Sequence, residues 1–147
     1  MRKQSKNPLP KLKRKAWKIF AAYVKKRDNG VCISCGKTGL SGAGYQAGHY
    51  QKAELCNLIY RYDHRMVNGQ CYRCNCWLRG NTIEYRKALL KKYGKKAVKE
   101  LEEHYKDPLP MDFNTRDFYN QIINIFSHID DQKVDLGITS AWKTDDD

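Results

Sequence analysis

The stretch NGQCYRCNCWLRGN at residues 68–81 sets Cys71 and Cys74 with two residues between them, follows them at once with Asn75, and runs into the helical pattern TIEYRKALLKKY, which Gly94 stops. A Cys-x-x-Cys pair turns two thiolates toward one point and asks for a second pair to complete a site. CISC at residues 32–35 supplies Cys32 and Cys35. Four thiolates at ~2.3 Å make a tetrahedral structural zinc site. The pairs lie further apart than the ~15–20 residues of a common zinc ribbon, so one ion would clip together segments that bracket a long insertion. Its binding free energy would add to that of a small core. A redox dithiol is the rival reading of either pair. Cys56 and Cys76 fall outside the pairs and read as small buried hydrophobes, and a ligand role for Cys76, beside Cys74, is strained.

Outward from the cysteines the pattern is mixed. In KAWKIFAAYVKKRDNG, residues 15–30, Trp17, Phe20, Ala21 and Val24 recur at helical spacing with Lys and Arg on the opposite face, and Asn29-Gly30 ends the run. Between the pairs, TGLSGAG reads as turns and YQAGHY as a short strand carrying His49. Thr82 is the expected cap of the helix after the second pair. A short helix over residues 95–105 follows, and Phe118, Ile122, Ile125 and Ile129 mark a last amphipathic helix. The expected fold is α+β, a small zinc-stapled core flanked by N-terminal and C-terminal helices. Its expected organisation is a basic flexible arm over 1–11, a domain over 12–105 that includes the basic helix, and a helical extension over 106–147 with an acidic tail.

Charge is unevenly spread along the 147 residues. Residues 1–27 carry eleven Lys or Arg and no acid, whereas nine of the sixteen acids fall in residues 106–147. The front of the chain has the balance of a polyanion binder; solvated Lys-rich faces are the bland alternative. The basic N-terminus has no apolar h-region behind it, and no apolar run nears the ~20 residues that span a bilayer. The expected location is the cytoplasm, with no membrane partner, where thiols stay reduced and cysteines serve metal binding.

The order of first pair, AGHY strand, loop, second pair, Asn75 and helix resembles the HNH (ββα-metal) nucleases. A closer resemblance, over residues 12 to about 105, is to the phage NinG (Rap) recombination family, whose members are similar to branched-DNA and Holliday-junction nucleases. It is carried by WKIFAAYVKKRD, CISCGKTG, AGHY, NGQCYRCNCWLRGN and TIEYRKAL. The resemblance implies metal-dependent cleavage of recombination intermediates in the host cytoplasm. Phosphodiester hydrolysis needs a base for water and a cation for developing charge. His49 takes the place of that base, and Asn75 that of a ligand to a catalytic Mg2+ or Mn2+. Two positions depart from the pattern. Gly48 stands where many HNH sites place an Asp ligand, leaving Glu54, Asp63 and His64 as candidates to complete the shell. Met66 stands where relatives often carry the middle Asn that pins the loop, and Asn68 is its candidate substitute.

Each residue also has a bland reading: His49 as a hydrogen-bonded strand histidine, Asn75 as a helix cap, His64 as a solvated loop residue and His104 as a surface residue. Arg73, Arg79, Arg86, Lys87, Lys91 and Lys92 cluster about the second pair and its helix, where phosphate contacts would be useful. Tyr45, Tyr50, Tyr60, Tyr62 and Tyr72 are candidates either for base stacking or for a small core. The expected function is a metal-dependent DNA endonuclease acting on branched DNA. The alternatives are a zinc-stabilised DNA-binding protein without catalysis, and an interaction adaptor using the acidic C-terminal helix. Symmetric resolution of a four-way junction needs two sites, which makes a homodimer attractive.

Overall fold

The computed structural model describes residues 8–129. The first helix, α1 (Leu9–Asp28), starts within the stretch expected to be a flexible arm. Pro10 is tolerated there because first-turn amides need no helical acceptor. Leu12, Ala16, Phe20, Tyr23 and Val24 give α1 its buried stripe, and Asn29, left-handed at φ 49°, closes it with a bond from its amide to Lys25 O. Residues 1–7 and the acidic tail lie outside the described residues.

A two-stranded antiparallel sheet follows, made of β1 (Tyr45–His49) and β2 (Val67–Cys71), with Tyr45 opposite Cys71 and His49 opposite Val67. The insertion between them contains the single-turn helix α2 (Leu58–Arg61), capped by Asn57, whose Oδ1 accepts from Tyr60 N at 3.0 Å. After β2 the chain makes one π-helical turn, Arg73–Trp77, before α3 (Thr82–Tyr93) and α4 (Lys95–His104). Asn75 therefore sits on this turn and not at the start of an α-helix. The cap of α3 is also displaced from the sequence expectation: Asn81, at φ 42°, is the N-cap, makes no side-chain capping bond, and leaves Thr82 as the first helical residue.

The last helix, α5 (Thr115–Ser127), does not form an extension separate from the core. Its Phe118, Tyr119, Ile122 and Phe126 join the stripe of α1 in one apolar cluster with Tyr62, Met66, Val67, Tyr85, Leu89, Val98 and Leu101. Phe126 meets Phe20 edge to face with ring centroids 4.8 Å apart. Burying large aromatic rings contributes on the order of 2–3 kcal/mol each, so α5 has a reason to dock that periodicity alone does not reveal. The cysteines form a second, smaller cluster of Cys32, Cys71 and Cys74, against which Leu40 packs. The fold is thus α+β, with a helical core on one side and a four-cysteine corner on the other.

A polar clasp ties α1 to β2. Asp28 Oδ2 accepts from Gly69 N at 2.7 Å, and Arg27 donates to His64 O at 2.8 Å, Val67 O at 2.9 Å and Asp28 itself. Although burial raises it, the Asp28 carboxyl ends below its usual range because Arg27, Gly69 N and Lys92 all favour its charged form.

Candidate functional site

The four sequence-predicted cysteines converge. The Sγ atoms of Cys32, Cys35, Cys71 and Cys74 all lie within 4.8 Å of one another, and Cys35 Sγ is 3.8 Å from Cys71 Sγ. A tetrahedron with ~2.3 Å zinc–sulfur bonds has edges of about 3.8 Å, so the donor set and spacing fit a metal ion such as zinc. Backbone geometry arranges this: Ile33 N donates to Gly69 O at 2.9 Å, pinning the first pair to β2, while the π turn brings Cys74 back beside Cys71. Donors also reach the sulfurs, from Cys74 N to Cys71 Sγ at 3.4 Å and from Asn81 Nδ2 to Cys74 Sγ at 3.5 Å. Such bonds orient thiolate ligands. Cys56 is buried, bonds to Gln51 O, and has its thiol pushed up to about 11 by burial, as befits an inert core residue. Cys76, expected to be buried, is instead exposed, with Sγ 3.4 Å from Gln46 Oε1.

His49 ends β1. Its ring stacks on Trp17 of α1, and its Nε2 lies 2.9 Å from Arg61 O. A carbonyl only accepts, so Nε2 carries the hydrogen and Nδ1 keeps a free lone pair. Burial pushes the His49 pKa down to about 4, with Arg61 adding to the effect and Glu54 opposing it, so the ring is neutral at physiological pH.

The structure does not bring Asn75 to His49. Asn75 Nδ2 donates to Gln46 Oε1 at 2.6 Å, and its Oδ1 would lie 2.9 Å from a Cβ on Gly48. Alternation along β1 places Gln46 and Gly48 on the face opposite His49. Gly48 has no room for a side chain unless Gln70 moves: a Cβ there would meet Gln70 Oε1 at 1.9 Å. Gln70 is held by bonds from its Nε2 to Ser34 Oγ and Gly80 O, both 2.8 Å. An Asp at position 48 would therefore have to displace this buried amide.

The other candidates are dispersed. Asn68 is fully buried and pins the loop, donating to Arg65 O at 2.9 Å and accepting from Arg27 and Lys92; its neighbours include Tyr85, and no bond joins it to His49. Met66 is a core residue whose carbonyl accepts from Tyr50 N. His64 lies edge-on to Tyr93, with its pKa lowered to about 4 by burial. Asp63 is buried and paired with Arg65 at 2.8 Å, and His104 pairs with Asp107 at the surface. Among the described residues only the cysteines gather three or more metal-ligating His, Cys, Asp or Glu atoms. A resident magnesium or manganese ion, which prefers carboxylate oxygens, finds no ready-made shell.

A cleft of about 400 Å³ opens beside β1, lined by Trp17, Ala21, Lys25, Tyr45, Gln46 and Asn75 among others. Lys25 and Gln46 were not legible as site residues, because a lysine on a Lys-rich helix carries no distinguishing signal. Of the five tyrosines expected near the site, Tyr45, Tyr50, Tyr60 and Tyr62 are buried, and only Tyr72 is exposed. Among the cations, Arg86 is paired with Glu102 at 2.6 Å, Lys87 with Glu84 at 3.0 Å and Lys92 with Asp28 at 3.5 Å. Arg73, Arg79 and Lys91 are exposed, with no carboxylate partner among the described residues. No helix among these residues is long and apolar enough to cross a membrane.

Fold and site together define a small α+β protein with a four-cysteine centre and a basic surface. Residues 1–127 match the family described as "Bacteriophage Lambda NinG protein", and the chain belongs to that family. It is 35% identical to protein ninG of Salmonella phage P22 over 94 residues and 33% identical to protein ninG of Escherichia phage lambda over 93 residues. Protein ninG of Escherichia phage 933W is 34% identical over 93 residues. Each match covers 63% of this chain but only 44–45% of the relative, so the shared part spans under half the length of those proteins. No solved structure matches the chain.

Proposed function

We propose that this chain is a phage recombination protein of the host cytoplasm, which grips branched DNA with its basic face and cleaves it as an HNH-type endonuclease, with zinc in the four-cysteine centre. The observation that carries the reading is the state of His49 at the end of β1: a neutral imidazole with its proton on Nε2 toward Arg61 O and an unprotonated Nδ1, the form a general base needs. Lys25 in the adjoining cleft, which has no carboxylate partner among the described residues, supplies positive charge for a phosphate. Asn75 and Gln46 line the same cleft, bonded to each other and on the β1 face opposite His49, so their part is contact with the DNA and not with the His49 ring. Added magnesium or manganese would neutralise charge on the phosphate and leaving oxygen. A homodimer would place two such sites on one junction.

A second reading, a DNA-binding protein that does not cut, draws on the sealed position at Gly48 and on the Trp17 ring over His49. Cleavage of labelled four-way junction, flap and linear duplex separates the two, using wild type and His49→Gln, with magnesium and with manganese. Glutamine keeps a donor for Arg61 O. The endonuclease reading expects wild type to cut branched DNA and the variant to bind without cutting. Binding by both with cutting by neither overturns it in favour of the second reading.

A further inference from the structure

Four large apolar side chains that belong in a core stand in solvent within residues 72–83: Trp77 is 77% exposed, Ile83 73%, Tyr72 49% and Leu78 45%. Arg73 and Arg79, both exposed, lie among them. Single exposed apolar residues need no explanation, but a group gathered along the π turn and the start of α3 marks a binding surface.

The turn that carries them is held rigidly. Leu78 N donates to Arg73 O, Gly80 N to Cys74 O and Asn81 N to Leu78 O, each within 2.9 Å, and Cys74 belongs to the four-cysteine centre. Arg79, Gly80 and Asn81 are three consecutive left-handed residues, at φ 50°, 96° and 42°. Two of them are not glycine, a conformation that costs free energy and persists only where the surroundings enforce it. The apolar groups are thus presented in a fixed arrangement, which lowers the entropy lost on binding. Asn75, in the middle of the same turn, lines the cleft beside β1.

Flat rings flanked by unpaired guanidinium groups match the chemistry of an unstacked nucleobase beside its phosphates: the ring takes the base face, the cations the backbone. We propose that exposed Trp77, with Tyr72, Arg73 and Arg79 exposed close to it in the chain, is a stacking platform for unpaired bases at a DNA branch or bulge. The platform rests on the DNA-binding reading above and explains how a protein without a base-reading helix would prefer branched to continuous duplex. A protein partner would use the apolar groups but has no need of the two unpaired arginines.

The test is binding of the full-length, zinc-loaded chain, with no divalent ion added, to a duplex containing a two-nucleotide bulge and to the same duplex fully paired, by fluorescence anisotropy. A fluorescent base analogue in the bulge reports stacking directly. Trp77→Ala should weaken bulge binding about tenfold, within the range for losing one stacked base, leave duplex binding within about twofold, and abolish quenching of the analogue. Trp77→Phe should restore most of the loss. Because Trp77 is exposed, the alanine variant keeps its thermal midpoint. Equal losses on both DNAs, or no loss on either, overturn the platform even if wild type cuts DNA. Failure of wild type to bind any DNA overturns the DNA-binding reading itself.

Discussion

Trp17 lies over His49 with ring centroids 5.2 Å apart and planes inclined by 19°, so an indole from α1 covers the histidine on β1. The indole is one of the groups that bury the imidazole. Trp17→Ala should therefore raise the His49 pKa from about 4 toward the ~6.5 of a solvated histidine. Titration of the histidine ring protons by NMR reads the shift. If the pKa stays near 4 in the variant, desolvation comes from the loop around Arg61 and not from the indole.

The same burial makes stability depend on pH. His49 and His64 both titrate near 4 in the folded chain, against ~6.5 when unfolded. Between these values the unfolded state binds protons that the folded state refuses. Stability is therefore full above about pH 6.5 and falls as pH drops toward 4, by about 3 kcal/mol for each histidine. Urea midpoints at pH 7, 5.5 and 4 should decline in that order, and His49→Gln should flatten the decline. Asp28 acts in a lower window: its depressed carboxyl pKa adds stability that is lost only as pH falls below the ordinary carboxylate range.

Removing one thiolate tests the two-cluster architecture. The cysteine corner is separate from the apolar core shared by α1, α3, α4 and α5. Cys71→Ser should abolish stoichiometric zinc and loosen the π turn, Gly69 and the first pair, because the ion's free energy in small modules is ~10 kcal/mol or more. The helical core should survive with most of its far-UV signal. Hydrogen exchange would show amides of residues 31–36 and 69–81 deprotected while those of α1 and α5 stay slow. Uniform deprotection would mean that the core cannot stand without the metal.

Much of this organisation was legible in the chain. The cysteine spacing named four residues whose sulfurs do converge, and the reading of YQAGHY as a short strand after the turns of TGLSGAG placed His49 on β1. Other features were not. Periodicity reports that a helix has an apolar face but not what it meets, so the aromatic stripe of α5 gave no sign that Phe20 and Phe126 would be neighbours. Four tyrosines near the site proved to be core because ring size favours burial and a hydroxyl needs just one acceptor, as Tyr45 finds in Val31 O at 2.9 Å. The separation of Asn75 from His49 could have been anticipated in part: residues 48 and 49 point to opposite faces of β1, and a partner for one does not automatically reach the other.

Restoring the missing carboxylate at position 48 should fail. Gly48→Asp places a Cβ 1.9 Å from Gln70 Oε1 and must expel an amide that holds Ser34 and Gly80. The cost should be about 2–3 kcal/mol, from overpacking and broken buried hydrogen bonds. Gln70 Oε1 has no hydrogen-bond partner among the described residues, so the clash, more than the oxygen's own bonding, carries the coupling. A cycle of Gly48→Ala, Gln70→Ala and the double variant should show the double as more stable than the sum of the singles. Additive losses would show that the space at Gly48 is set by backbone contacts.

The ion pairs divide the basic surface into groups that can release counterions and groups already neutralised. Arg73 and Arg79 face solvent without a carboxylate among the described residues, whereas Arg86 and Lys87 are matched by Glu102 and Glu84. A phosphate contact made by a free cation lowers the slope of log K against log salt by ~0.9 per contact, to the extent that it displaces a condensed ion. Arg73→Ala and Arg79→Ala should each reduce the magnitude of the slope by about that amount and weaken binding to all DNAs at low salt. Arg86→Ala and Lys87→Ala should change the slope far less, since Glu102 and Glu84 compete with phosphate for the same cations. Junction binding measured across a salt series for the four variants decides the matter: equal slopes for all four would place the backbone track elsewhere, with Lys25 and the cleft beside β1 as the next surface to mutate.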